Sequence, residues 1–254
     1  MADLRAVIFV LGFLPFLALG LYPFARGLEA RRSAVWGALL GILVFLGLSH
    51  AMASVLVDQP SFDPVPGEAV GLVVFVVGLG LGVGGAWWIL TSRPLPVAWM
   101  SRIGWAAAVY VGLHSAADGL VLGAGFVPGA PGVRVDAVTA TGTVLHRFAE
   151  GALLVVPALA AAWPPRKALG LLSAGLLVVP AAVLVGSLYQ SFPGIAFEGE
   201  LVLRSLVMSA EVGFALVLVL VGFLPQLLRS RDFRWIGWAG GGFVAIAVLH
   251  GLIE

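Results

Sequence analysis

Long apolar stretches dominate the chain and are interrupted by short polar breaks. A membrane-spanning helix takes about 20 mostly apolar residues, and eight stretches qualify: 6–25, 33–57, 69–91, 103–126, 135–162, 168–189, 200–224 and 234–253. The breaks carry proline, glycine and charged residues, which end helices and turn the chain. None is long enough for a soluble domain. Residues 1–254 are therefore predicted to form one all-α, polytopic membrane domain with eight transmembrane helices.

The basic residues outside the apolar cores indicate how the helices are oriented. On one side of the membrane, before the first stretch and after the even-numbered stretches, there are two such basic residues, Arg5 and Arg134. The connections after the odd-numbered stretches hold ten: Arg26, Arg31, Arg32, Arg93, Arg102, Arg166, Lys167, Arg229, Arg231 and Arg234. Cytoplasmic connections carry the excess of basic residues in membrane proteins. Both termini are therefore expected to lie outside.

Composition narrows the class of protein further. The chain is 61% hydrophobic and 11% charged, whereas soluble domains average about 45–50% apolar and about 25% charged residues. This excludes a soluble globular enzyme, a nucleic-acid-binding protein and a disordered chain. The net charge is +1 and there is no cysteine, so thiolate ligands are absent. We expect a multi-pass integral protein, placed in the plasma (cytoplasmic) membrane, with lipid as partner and no nucleic acid.

Two similar motifs place ionisable residues inside neighbouring apolar stretches. The fourth stretch contains His114-Ser115-Ala116-Ala117-Asp118-Gly119, and the fifth contains His146-Arg147-Phe148-Ala149-Glu150-Gly151. A spacing of four residues puts the histidine and the acid on one face of a helix. Ionisable groups in the bilayer are costly, and their default interpretation is functional. Consecutive spans run antiparallel, so His114 is expected near the level of Glu150.

The four side chains His114, Asp118, His146 and Glu150, which we call the tetrad, are a candidate metal site. Two imidazoles and two carboxylates suit a borderline divalent cation. We expect Zn²⁺, with Fe²⁺ or Mn²⁺ as alternatives, and no organic cofactor. The other interpretation is structural: two buried histidine–carboxylate hydrogen bonds that hold helices together.

The motifs resemble those of the ZIP (Zrt/Irt-like) family of divalent metal transporters. The fourth helix of that family carries a His-Asn-x-x-acid-Gly type of motif, and in some bacterial members the fifth carries His-Asn-x-Pro-Glu-Gly. The resemblance implies eight helices in a 3+2+3 arrangement with inverted symmetry, and it implies that the tetrad lines the primary transport site. The family often has an adjacent second site that uses the residue after each motif histidine. Here these residues are Ser115 and Arg147, and the motif prolines are replaced by alanine.

Further polar residues are candidates for the second site or for the pathway. A guanidinium cannot bind a cation, so Arg147 is predicted to pair with Asp118 or Glu150 and to replace the charge of a second ion. The alternative is that Arg147 snorkels or pairs with Glu211. Glu211 belongs either to the pathway or to a structural ion pair. His50 is either an outer ligand or a packing donor, and His250 is interpreted as a surface residue.

The expected function is transport of a divalent transition metal into the cytoplasm by alternating access, without enzymatic activity. Two alternatives stay open. One is a membrane metal sensor that never transports, and the other is an intramembrane metalloenzyme, which would need an open coordination position. A homodimer is also left open.

Overall fold

The computed structural model describes residues 14–50, 67–92, 98–124, 137–190 and 196–251. These residues are almost all helical, and no strand occurs among them. This confirms the prediction of an all-α chain. Helices are numbered α1 to α8 in chain order, and each overlaps one of the apolar stretches in the sequence.

Several helices contain segments of different helical type. α1 consists of a 3-10 helix at Leu14–Phe24 followed by an α-helical segment at Ala25–Ala30. α2 runs over Arg32–Val44 and continues as a π-helix over Phe45–His50. α7 also carries a π-helical segment: it comprises Ala196–Val217, Leu218–Phe223 and Leu224–Arg229. The others are α3 at Gly67–Thr91, α4 at Trp99–Ala124, α5 at Ala137–Ala160, α6 at Pro165–Gln190 and α8 at Arg234–Gly251.

Four segments in the described part of the chain are long and apolar enough to cross a membrane. They are Arg32–Ser49, Val70–Thr91, Pro165–Gly186 and Val202–Arg229, which belong to α2, α3, α6 and α7. Many large apolar side chains on them are exposed, among them Leu72, Val73, Leu81 and Leu177. An exposed apolar surface of this kind fits a lipid environment, so the chain has the character of a membrane protein.

The helices pack in a set of preferred pairs. The most extensive contacts join α3 with α7, α4 with α6, α2 with α8 and α1 with α5. α4 also packs against α5 and against α7. The two helices with the histidine motifs are thus neighbours, and α7 brings its polar residues to α4.

Glycines allow the closest of these pairs to form. A β-carbon at Gly82 of α3 would collide with the carbonyl oxygen of Ala210 in α7, and one at Gly213 would collide with that of Leu79. The α2–α8 pair is built in the same way, because Gly41 faces the carbonyl oxygen of Ala239. Small residues let helix backbones approach closely in membranes, where packing replaces the hydrophobic effect as the main driving force.

An aromatic cluster at the end of α5 links it to α4 and α6. α5 ends at Ala160, and Ala162 just beyond it has a φ of 54°, which lies in the left-handed region. Trp163 then donates its indole N–H to Ser101 Oγ at 2.9 Å, and the Lys167 ammonium lies 3.6 Å from the Trp163 ring centroid. These contacts hold the C-terminal end of α5 to α4 and α6. They restrict sliding of α4 and α5 along each other.

We predict that Gly82→Ala destabilises the fold by about 1–3 kcal/mol, which is the usual cost of overpacking a close contact. Gly80→Ala, two residues earlier in α3, is the matched control because nothing lies within 4 Å of its β-carbon position. Unfolding of the detergent-solubilised protein, followed by circular dichroism, measures both. Equal stability of the two variants would contradict the packing of α3 on α7.

Candidate metal centre

The tetrad residues lie together between α4 and α5. One ligand atom from each of His114, Asp118, His146 and Glu150 lies within 4.8 Å of the others. Glu150 is fully buried, His114 is 2% exposed and His146 is 8% exposed. The 24% exposure of its side chain makes Asp118 the most accessible member. The helical spacing of the two motifs therefore brings the four side chains to one point.

One oxygen of Glu150 is the centre of this cluster. Glu150 Oε1 lies 2.9 Å from His146 Nε2 and 3.5 Å from His114 Nε2. The contact between His114 and Glu150 confirms the expectation that these two residues lie at a similar level on the neighbouring helices α4 and α5. Both Glu150 Oε1 and His114 Nε2 are buried, and neither makes a hydrogen bond of regular geometry within the described residues, although Oε1 lies 2.9 Å from His146 Nε2. Buried polar atoms are nearly always satisfied, and two such atoms facing each other are suited to binding an ion.

Arg147 lies beside the tetrad and joins its two carboxylates. Its Nη2 donates to Asp118 Oδ2 at 2.6 Å, and its Nη1 donates to Glu150 Oε2 at 2.7 Å. The guanidinium is buried. Its two hydrogen bonds pair Arg147 with both of the predicted partners, Asp118 and Glu150. Because Arg147 uses only Oε2 of Glu150, Oε1 faces the histidines.

Glu211 contacts a histidine. His114 Nδ1 lies 2.9 Å from Glu211 Oε1, and the Tyr110 hydroxyl donates to the same oxygen at 3.2 Å. If Glu211 is ionised, its carboxylate only accepts hydrogen bonds. The His114 tautomer with the proton on Nδ1 then keeps the lone pair of Nε2 for a metal. Glu211 thus takes the place of the carboxylate that commonly orients a metal-binding histidine.

Sequence reasoning missed Tyr110, which is buried and stacks on His114 with ring centroids 6.2 Å apart. Its position four residues before His114 on the same helix face could have indicated this contact. His250, interpreted as a surface residue, is partly exposed, but its ring also meets the His146 ring edge-on, with centroids 5.5 Å apart, a contact that the sequence did not predict.

The remaining candidates have simpler positions. Ser115, which follows His114 in α4, is buried. His50 is the last residue of the π-helical segment of α2, but its side chain lies outside what the structure describes. Gly119, which follows Asp118, lets α6 approach α4, because a β-carbon there would lie 2.7 Å from Ala182 Cβ.

The charge of the centre suits a divalent cation. With the imidazoles neutral, the carboxylates of Asp118, Glu150 and Glu211 and the guanidinium of Arg147 leave two negative charges. Ligand atoms around tetrahedral zinc are roughly 3.3 Å apart, given bond lengths of about 2.0–2.1 Å, so the tetrad would need to close by an ångström or more around an ion. Nitrogen and oxygen donors without sulfur favour Zn²⁺, Fe²⁺ or Mn²⁺ over Cu⁺.

We predict that Glu211→Gln weakens Zn²⁺ binding to the purified protein about tenfold or more, since loss of a partner behind a metal ligand typically costs 10–100-fold. Tyr110→Phe keeps the ring on His114 but removes the hydroxyl donor, and its effect should be smaller. Competition with a chromophoric chelator measures both affinities. An unchanged affinity in Glu211→Gln would argue against the role of Glu211 in orienting His114.

Comparisons with known proteins add no assignment. No protein-family model matches the chain, and a search of curated proteins gives no match. The resemblance to the ZIP family therefore depends on the two sequence motifs.

Proposed function

We propose that the chain transports a divalent transition metal, with Zn²⁺ as the preferred ion, into the cytoplasm through the tetrad. The observation that carries this proposal is the convergence of four ligand atoms from α4 and α5 within 4.8 Å. Three of the four side chains are almost fully buried. Ionisable groups in membrane helices mark ion pathways, and this set contains the donors that such ions prefer.

Electrostatics supports a cation as the transported species. The two negative charges left by the three carboxylates and Arg147 match one divalent ion, which would make the centre neutral. An ion moving through a medium of low dielectric constant needs such compensation, because interactions between charges are far stronger there than in water. An anionic or apolar substrate would have no complement in this centre.

The packing of the helices supports the ZIP-like arrangement. In such a repeat, α1, α2 and α3 would correspond to α6, α7 and α8, and α4 would correspond to α5. This correspondence converts the α3–α7 pair into the α8–α2 pair and the α4–α6 pair into the α5–α1 pair. All four pairs are among those observed. The two helices with π-helical segments, α2 and α7, are also exchanged. This pairing supports the proposal of an inverted repeat of 3+2+3 helices, which would have eight spans and both termini outside.

Such an arrangement has a known way of moving an ion. In transporters built from inverted repeats, the site lies at the repeat interface near the middle of the membrane, and one bundle rocks against the other. Here the central pair would be α4 and α5. The π-helical segments of α2 and α7 are suitable places for local bending, because π-bulges occur often at functional sites.

Arg147 would make this a centre for a single ion. It occupies the motif position that supplies a ligand to the second site in the ZIP family, and it contacts Asp118 and Glu150 at hydrogen-bond distance. Its fixed positive charge would stand in for the second cation. Ser115, at the other second-site position, could offer only a hydroxyl oxygen.

The test is Zn²⁺ uptake into proteoliposomes. His114→Ala and Glu150→Gln should each reduce the rate at least about a hundredfold, since each removes a ligand whose loss leaves neighbouring charges buried and unpaired. Glu29→Gln is the matched control: it makes the same chemical change at an exposed residue paired with Arg32, and it should transport normally.

The result also separates the alternatives. Uptake at the wild-type rate in both tetrad variants would refute transport through this centre. A wild-type protein that binds Zn²⁺ with these ligands but shows no flux would instead favour a membrane metal sensor.

A further inference from the structure

The two histidines of the tetrad are held differently. His114 Nδ1 lies 2.9 Å from Glu211 Oε1, so the orientation of its ring is fixed. His146 Nδ1 is buried and has no hydrogen-bond partner within the part of the chain that the structure describes. Among the described residues, His146 Nδ1 thus lacks the kind of carboxylate partner that Glu211 supplies to His114 Nδ1.

A third histidine lies beside His146. The His250 ring of α8 meets the His146 ring at an interplanar angle of 79°, with centroids 5.5 Å apart. Two imidazoles that share one ion, with metal–nitrogen bonds of about 2.0–2.1 Å, have centroids roughly 5 Å apart. The two rings are thus close enough to bind a common cation after a small rotation. On its other side, the His250 ring packs edge-on against Phe45 at 5.7 Å.

Burial increases steadily along this row of side chains. His250 is partly exposed near the end of α8, His146 is 8% exposed, and Glu150 is fully buried. The row runs from an accessible ring to the oxygen at the centre of the tetrad. Each step joins neighbouring residues: His250 to His146 through the ring contact, and His146 to Glu150 over 2.9 Å.

We propose that His146 and His250 form an outer metal site that receives the divalent ion and passes it to the tetrad. This proposal rests on the proposed function, which sets the direction in which the ion moves. In the outer site the ion is bound by the two imidazoles and by water. It then exchanges the His250 nitrogen for Glu150 Oε1 and His114 Nε2 while His146 stays bound. Only ligands are exchanged, so no electron transfer or covalent step is involved. Two neutral ligands bind the ion weakly enough for it to leave.

The first experiment measures Zn²⁺ uptake as a function of concentration in proteoliposomes. His250→Phe keeps an aromatic ring against Phe45 but has no ligand atom, and His250→Ala removes both. Both variants should raise KM about tenfold with the maximal rate nearly unchanged, because a capture site acts on the free ion before the tetrad binds it. Wild-type kinetics in His250→Phe would overturn the proposal, since His250 would then serve only in packing.

The second experiment tests the site without transport, with Cu²⁺ as the probe because imidazole sites bind it tightly. In the purified full chain carrying His114→Gln, electron paramagnetic resonance should show coupling to two imidazole nitrogens. Addition of His250→Phe should leave one. The same spectrum in both proteins would overturn the outer site. If the wild-type protein shows no flux, the proposed function fails, and these spectra still decide whether His146 and His250 bind an ion together.

Discussion

The bridge from Arg147 to two carboxylates is the interaction on which the rest of the centre depends. Its guanidinium lies 2.6 Å from Asp118 Oδ2 and 2.7 Å from Glu150 Oε2 in a buried setting. Removal of one partner from a buried charge pair typically costs about 3–5 kcal/mol, so the geometry of the bridge is strongly held. It ties α4 to α5, and it leaves the second oxygen of Glu150 facing His114 and His146.

This constraint also sets the electrostatics and the asymmetry of the centre. With Arg147 in place, one divalent cation suffices for neutrality, whereas two cations would leave an excess of positive charge. Glu211 fixes the ring of His114, while the ring of His146 adjoins that of His250. The two halves of the centre thus differ, although the motifs that form them are alike. In one half the histidine is paired with a carboxylate, and in the other the histidine ring adjoins a more exposed histidine.

The sequence predicted the helices and the tetrad well because both depend on local spacing. Apolar stretches locate α1 to α8, and a separation of four residues aligns His114 with Asp118 and His146 with Glu150. The partner of Glu211 could not be predicted, because it depends on how α7 packs on α4. The position of His250 likewise depends on the packing of α8. The choice of Arg147 between Asp118 and Glu150 was open in sequence because both are within reach of its long side chain.

The most direct test of the central claim is the number of Zn²⁺ ions bound per chain when Arg147 is changed. The purified wild-type protein should bind one ion, measured by elemental analysis after dialysis. Arg147→Asn removes the internal cation and supplies a ligand oxygen, so it should bind two. Arg147→Lys keeps the charge and should bind one. Two ions in the wild-type protein, or one in Arg147→Asn, would contradict the proposal that Arg147 takes the place of a second metal ion.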